Sequence, residues 1–199
     1  MMIAFEGPIG VGKTTLAEQL ADFLGPETRL LLEDFAGNAF LDDFYAQPER
    51  WALPAQLEFL VSRHEQLSAC VPDPAAPTIA DHSLMKDRIF AELLLSGRER
   101  ALYDRLAARL QGEEITPDVL IYLDADTGVL LERIARRGRT FERDISGHYL
   151  KALRQGYERH LAALADSTLL LRLDTSNMVP TSAGELASLW HRIQHSCPE

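Results

Sequence analysis

Cysteine is almost missing from this chain: Cys70 and Cys197 are the only two, far apart and outside any paired motif. That excludes a disulfide framework and a cysteine-based zinc site, and leaves two ordinary reduced thiols. Long apolar runs are missing too. No stretch approaches the ~18 residues of a membrane span, and no basic-then-apolar leader ends in a small-residue cleavage site, so the protein is expected in the cytoplasm with no membrane partner. Positive charge is scarce, with 20 Lys and Arg against 30 Asp and Glu and a net charge of −10. Binding to a phosphate backbone advertises itself as net basic charge or a basic stripe, so a nucleic-acid polymer is not an expected partner. A small phosphorylated ligand needs only a local basic cluster. Repeats and low-complexity tracts are absent, and 199 residues suit a single α/β domain over residues 1–199.

What is present is a phosphate-binding loop. Residues 7–15, Gly-Pro-Ile-Gly-Val-Gly-Lys-Thr-Thr, fit G-x-x-x-x-G-K-[ST] between the apolar run Met2-Ile3-Ala4-Phe5 and an amphipathic helix. Gly7, Gly10 and Gly12 let the backbone turn tightly and aim several N–H groups inward, at a helix N-terminus whose dipole favours anions. Lys13 is placed to neutralise β/γ-phosphate charge, the Thr14 hydroxyl to ligate Mg²⁺, and Thr15 to close the loop. The loop alone does not say where a γ-phosphate goes, since the same cradle serves kinases, GTPases, motors and sensors.

Apolar runs of strand length recur at Thr28 to Leu32, Thr78 to Ala80, Val119 to Leu123 and Thr168 to Leu173. Helical spacing is read for Leu16 to Leu24, Trp51 to Cys70, Ile89 to Leu94, Tyr103 to Leu110 and Leu130 to Ile134. The alternation implies a parallel sheet with helices on both faces and ligands beyond the carboxyl ends of its strands. Asp124-Ala-Asp126 is expected to end the fourth strand and cap the helix carrying Leu130, and Val71 to Pro77 to be an exposed proline-rich connector. A loop and one closing helix are read after Val179.

Three constellations lie where a ligand would. Glu33 and Asp81 follow the second and third apolar runs, and a strand-end carboxylate can accept the proton of an attacking hydroxyl or hold Mg²⁺. Asp34 competes with Glu33 for the first role, and composition does not separate them. Arg133, Arg136, Arg137 and Arg139 cluster around Gly138, where they can close over transferring phosphates as a lid at about residues 136–147. The stretch from Phe40 to Tyr45, with Trp51, Gln56 and Arg63, offers aromatic and amide groups that can stack and hydrogen-bond a planar base.

Taken together, these residues resemble the deoxyribonucleoside kinases, in particular the bacterial deoxyguanosine and deoxyadenosine kinases. The likeness runs from about Met2 to Tyr157. It is carried by Gly7 to Thr15; Glu33 with Asn38-Ala-Phe-Leu-Asp-Asp-Phe-Tyr45; Pro48-Glu-Arg-Trp51 with Gln56 and Phe59-Leu-Val-Ser-Arg63; Asp81 with Ile89-Phe-Ala91; and Ile121 to Ala125 through Arg133 and Arg137-Gly-Arg139 to Glu142. The resemblance implies a P-loop kinase fold, with a five-stranded parallel sheet, helices on both faces and an arginine-rich lid. It implies ATP as phosphoryl donor with Mg²⁺, a deoxyribonucleoside as acceptor, and a homodimer. It makes Glu33 the base for the 5′-hydroxyl, Tyr45 and Glu142 the pair on the 3′-hydroxyl, Gln56 a reader of the base, and Arg133, Arg137 and Arg139 the lid arginines. Arg136 has no counterpart and reads as a solvated charge.

One departure stands out. Where the resemblance implies, after the strand-end acid, an arginine that contacts the catalytic carboxylate and the 5′-oxygen, this chain reads Asp81-His82-Ser83. The following segment, Lys86-Asp87-Arg88-Ile89-Phe90, is one residue short. With the gap before it, Asp87 matches the aspartate that pairs with Arg63 at the base edge. An Arg–Asp pair offers donors and acceptors suited to guanine or adenine and is ill matched to thymine. The competing expectations are a nucleoside monophosphate kinase, with Arg50, Arg63 and Arg88 near an acceptor phosphate, and a nucleotide-sensing module without an acceptor.

Overall fold

The computed structural model describes residues 1–70, 76–110, 116–164, 167–177 and 182–196. Cys197, most of the expected connector at Val71 to Pro77 and the start of the C-terminal loop at 179–181 lie outside the described residues. Strand β1 spans Met2–Glu6, β2 Arg29–Leu31, β3 Thr78–Ala80, β4 Val119–Asp124 and β5 Leu169–Asp174. They form one all-parallel sheet in the order β2-β3-β1-β4-β5. The five strands match the five apolar runs because a parallel sheet is covered on both faces and reads as continuous apolar segments. From β1 the chain crosses to one side for β2 and β3 and to the other for β4 and β5, so the carboxyl end of β1 is the topological switch point.

Side-chain alternation divides the core. Ile3 and Phe5 of β1 with Val119, Ile121 and Leu123 of β4 face α1 (Lys13–Leu24) and α8 (Ala183–Ser196). Ala4, Leu120 and Tyr122 face the other way, onto α4 (Leu84–Leu94) and α7 (Gly147–Leu161). A third cluster joins α2 (Leu41–Ala46), α3 (Pro48–Ser68) and α5 (Gly97–Leu110) through Phe44, Ala55, Phe59, Leu60 and Tyr103. It stacks outside α4 and builds the wall that faces the phosphate loop. Helix α6 (Thr127–Arg137) follows β4 and ends at Gly138, which takes the left-handed conformation at φ 71°.

Two helices escape the periodicity reading. Helix α2 is only 6 residues long, and α7 hides its stripe of Leu150, Leu153, Tyr157 and Leu161 among charged residues and a mid-helix glycine. The glycine has a packing reason: a Cβ at Gly156 would lie 2.8 Å from Cγ2 of Ile89, so α7 and α4 approach too closely for any side chain there. Asp126 occupies the position expected for the α6 cap but makes no side-chain capping bond. Asp124, at the end of β4, instead receives two bonds from Arg154 of α7 at 2.7 and 2.5 Å.

Glu6 at the end of β1 is wholly buried. Its carboxylate accepts from the Ser83 N–H and hydroxyl, both at 2.8 Å, and from the Tyr157 hydroxyl at 2.9 Å. Ser83 in turn caps α4 by accepting from the Met85 N–H at 3.2 Å. One strand-end acid thus ties the switch point to the start of α4 and the middle of α7. Leu153 is fully buried against this face. Leu153→Ala should lower unfolding free energy by about 2–5 kcal/mol, read from urea midpoints. A loss below about 1 kcal/mol would mean that α7 is not part of the core.

Candidate active site

The phosphate loop connects β1 to α1 and closes against β4. Gly7 has φ 143°, and a Cβ on it would lie 2.2 Å from the Leu123 carbonyl, so only glycine lets the loop press onto the neighbouring strand. Lys13 is half-buried, and its ammonium donates to the carbonyls of Gly7 at 2.7 Å and Pro8 at 3.1 Å. Burial, then the like charge of Lys86, pulls its pKa down to about 8. The Thr14 hydroxyl donates to Asp81 Oδ2 at 2.5 Å, and the other Asp81 oxygen accepts the Glu33 N–H at 2.7 Å. Hydrogen bonds from His82 and Thr14 outweigh burial and hold the Asp81 carboxyl below its ordinary range. Asp81 therefore links the loop to the end of β2.

Just past β2, Glu33 turns inward and Asp34 does not. Asp34 is exposed and closes a turn by accepting the Gly37 N–H at 2.8 Å, so geometry separates the two acids that composition left equal. Glu33 Oε1 receives the Arg63 guanidinium, through Nε at 2.7 Å and also through its second nitrogen, while Glu33 Oε2 accepts from Lys86 Nζ at 2.6 Å. Arg63 also binds Asp87 Oδ1 and lies over the Phe59 ring at 4.6 Å. Side-chain exposure is 15% for Glu33, 3% for Arg63, 2% for Asp87 and 10% for Lys86. Two anions and two cations are thus removed from water together, a burial tolerable only because each charge is met. Burial alone would raise the Glu33 pKa, but Arg63 and Lys86 reverse it and hold the carboxyl well below its usual range. At Asp87, burial pushes upward against the pull of Arg63.

A cavity of about 110 Å³ opens between these groups and the loop. Its polar lining includes Lys13, Thr14, Asp81, Glu33, Gln56, Arg63 and Lys86. Phe35, Phe44, Tyr45, Phe59, Phe90 and Phe141 supply aromatic surface. Phe40 and Trp51, expected among these, stack on each other at 5.9 Å and do not line it. Gln56 Oε1 and Asp87 Oδ2 are buried and have no partner among the described residues. Of the two, Gln56 lines the cavity and its unfilled acceptor can receive an N–H donor of a flat ligand, because leaving it empty costs its full desolvation, whereas Asp87 does not line the cavity.

The segment after α6 crosses the mouth. Gly138 reverses the chain, a 3-10 turn spans Thr140–Glu142, and α7 begins at Gly147. Arg137 binds the buried Glu142 carboxylate through Nε at 3.0 Å and through its terminal nitrogen at 2.6 Å; Arg139 lies 3.5 Å from the same carboxylate and stacks on Phe35 at 3.8 Å. Tyr45 sits beside this pair, its ring 5.1 Å from Phe141. Burial, then the Glu142 carboxylate, pushes its phenol pKa up. Arg133 points elsewhere, to the Thr175 hydroxyl at 3.0 Å and carbonyl at 2.5 Å, and Thr175 reaches the Val11 carbonyl of the loop at 3.2 Å.

The cavity therefore gathers Gly10, Lys13, Thr14, Glu33, Tyr45, Gln56, Arg63, Asp81, Arg137, Arg139 and Glu142. Asp87 stands behind Arg63, Arg133 lies outside against Thr175, and Gly7, Gly12 and Thr15 belong to the loop without facing the cavity. Sequence reasoning missed Lys86, Glu6 and Thr175. Lys86 carried a signal, a lysine in the first turn of a helix where the dipole disfavours it. The other two carried none.

A family model described as deoxynucleoside kinase matches residues 3–197. A deoxyguanosine kinase of Bacillus subtilis is 37% identical over 169 residues, covering 83% of this chain and 80% of its own. A deoxyadenosine kinase of Dictyostelium discoideum is 32% identical over 89% of this chain and 73% of its own. Among solved structures, a deoxyadenosine kinase from M. mycoides with dCMP and dCDP bound superposes with a TM-score of 0.81 over 100% of both chains, at 22% identity. That last likeness shows the shared fold.

The Glu33 cluster also makes a statement about stability. Because the Glu33 pKa is depressed on folding, its contribution is complete above the ordinary carboxylate value and is lost as pH falls through the folded-state value. Glu33→Gln, which strands two buried cations, should cost about 3 kcal/mol at pH 7, with the gap to wild type closing in acid. Urea midpoints in metal-free buffer at neutral and acidic pH read it; a gap that widens on acidification would contradict the assignment.

Proposed function

The chain belongs to the deoxynucleoside kinase family of phosphotransferases, and from that premise we propose that it transfers the γ-phosphoryl group of ATP to the 5′-hydroxyl of a purine deoxyribonucleoside. Deoxyguanosine or deoxyadenosine would give the 5′-monophosphate and ADP. The observation that carries the purine reading is the buried Arg63–Asp87 pair, whose Arg63 lines the cavity together with Gln56 and its unfilled acceptor. Purine edges combine N–H donors with ring-nitrogen acceptors and can satisfy both the amide and the guanidinium, whereas thymine sets a carbonyl on each side of its single N–H. The names of the Bacillus and Dictyostelium relatives favour the same choice.

In this reading Glu33 is the base. The 5′-O–H bond breaks and its proton passes to Glu33; the 5′-oxygen forms the new bond to the γ-phosphorus; the bond to the β–γ bridging oxygen breaks, and ADP leaves with that electron pair. Tyr45 and Glu142 hold the 3′-hydroxyl, and Lys13 with Arg137 and Arg139 meets the phosphates. Thr14 and Asp81 present hard oxygen donors that meet at the loop, a set that fits Mg²⁺, which would supply charge neutralisation along the phosphates. The M. mycoides deoxyadenosine kinase has also been solved with dATP bound, in keeping with a nucleoside triphosphate as ligand. The cavity's roughly 110 Å³ is below the ~300–1,000 Å³ of sites that enclose a small ligand. In this reading the segment at about 136–147 is the lid, and lifting it to admit substrate would let Arg137 and Arg139 exchange Glu142 for phosphate oxygens.

Of the arginines that would meet an acceptor phosphate, only Arg63 lines the cavity, and it is engaged with Glu33 and Asp87. That favours a nucleoside over a monophosphate acceptor. Transfer of label from γ-labelled ATP to each deoxynucleoside and each monophosphate tests the reading: label should enter purine deoxynucleosides, and incorporation confined to monophosphates would reject it. Glu33→Gln should lower kcat about a hundredfold or more with the KM for ATP little changed; an unaltered kcat would remove Glu33 from the base role.

A further inference from the structure

The position where the family resemblance calls for an arginine near the base carries His82. The imidazole does not stand in for it: His82 is fully buried, its Nδ1 lies 3.2 Å from Asp81 Oδ1, and its Nε2 has no partner among the described residues. Instead, the cation that meets Glu33 beside Arg63 comes from the first turn of α4. Lys86 is buried, donates to Glu33 Oε2 at 2.6 Å, lines the cavity, and passes its ammonium 5.8 Å from the Phe90 ring. A lysine there works against the helix dipole and against burial, so neither α4 nor the core accounts for it. Glu33 does.

The two cations are not equivalent. Arg63 occupies Glu33 Oε1 and is shared with Asp87, whereas Lys86 is the one donor to Oε2 among the described residues. A carboxylate oxygen offers two lone pairs, so Lys86 leaves one on Oε2 to accept a hydroxyl proton. We propose that Lys86 is a positioning residue for phosphoryl transfer, taking over from the missing arginine by clamping Glu33 Oε2 so that its remaining lone pair meets the 5′-hydroxyl. The inference rests on Glu33 being the base.

Lys86→Met keeps the aliphatic stem and removes the charge. It should lower kcat about 10- to 100-fold, as a misplaced reacting group does, while the KM for ATP stays within about twofold; losing one charge of the buried cluster lowers the melting temperature, so turnover is compared well below that transition. Lys86→Arg should recover most of the loss, and a small alkylammonium ion added to Lys86→Ala should raise its turnover where tetramethylammonium does not. In a cycle with Glu33→Gln, the cost of Lys86→Met should largely vanish, because the group it positions is already gone. If the methionine variant melts too early for that comparison, Lys86→Gln repeats the test. The proposal is overturned if the neutral variants retain wild-type kcat, or if their loss resists both arginine and alkylammonium and is undiminished in the Glu33→Gln background. Failure of the base assignment shows separately, as a Glu33→Gln enzyme with unchanged kcat.

Discussion

The carboxylate of Glu33, held between the guanidinium of Arg63 and the ammonium of Lys86, is the constraint around which the substrate half of the molecule is arranged. Three elements must end or begin at one place to form it: β2 delivers Glu33 at its carboxyl edge, the long α3 carries Arg63 down to it, and α4 starts beside it with Lys86 and Asp87 in its first turn. Four charges are buried there with no net charge. Such clusters contribute little net stability compared with an apolar core but are costly to break, so they fix geometry more than they raise stability. Glu6, Ser83 and Tyr157 serve the same end on the far side, pinning the start of α4 to β1 and α7.

The phosphate-loop side of the cavity follows a different logic. Its parts are backbone groups and a loop pressed against β4, with Lys13 bonded to the loop's own carbonyls. Burial and the like charge of Lys86 bring the Lys13 pKa down to about 8, so an incoming anion would be met by a cation already short of compensation. Asp81 joins the halves, one oxygen on Thr14 and the other on the Glu33 N–H. Two hydrogen bonds therefore tie the loop to the backbone that carries Glu33.

Legibility in the sequence followed the range of the interactions. The phosphate loop is nine consecutive residues and the strands are doubly buried apolar runs, so both could be read directly. Helix α7 could not, because its apolar stripe is diluted by Arg154, Gln155, Glu158 and Arg159 and interrupted by Gly156, whose reason is the close approach of Ile89. Glu33 and Asp34 were equal in composition and differ only in that one turns inward. The Arg63–Asp87 pair spans 24 residues and Lys86–Glu33 spans 53; neither leaves a local pattern, and the first was reached only through a family likeness. Phe40 and Trp51 illustrate the opposite failure, aromatics at suggestive spacing that satisfy each other.

Base selection joins these strands of the account, because the cation that grips Glu33 also faces the end of the cavity where the nucleobase would lie. The most direct measurement is kcat/KM for deoxyguanosine, deoxyadenosine, deoxycytidine and thymidine with ATP as donor. One or both purines should exceed thymidine by at least about a hundredfold, the discrimination expected where a mismatched substrate leaves buried polar groups unpaired. Thymidine turned over as efficiently as the purines would contradict the reading of Arg63, Asp87 and Gln56 on which the account rests.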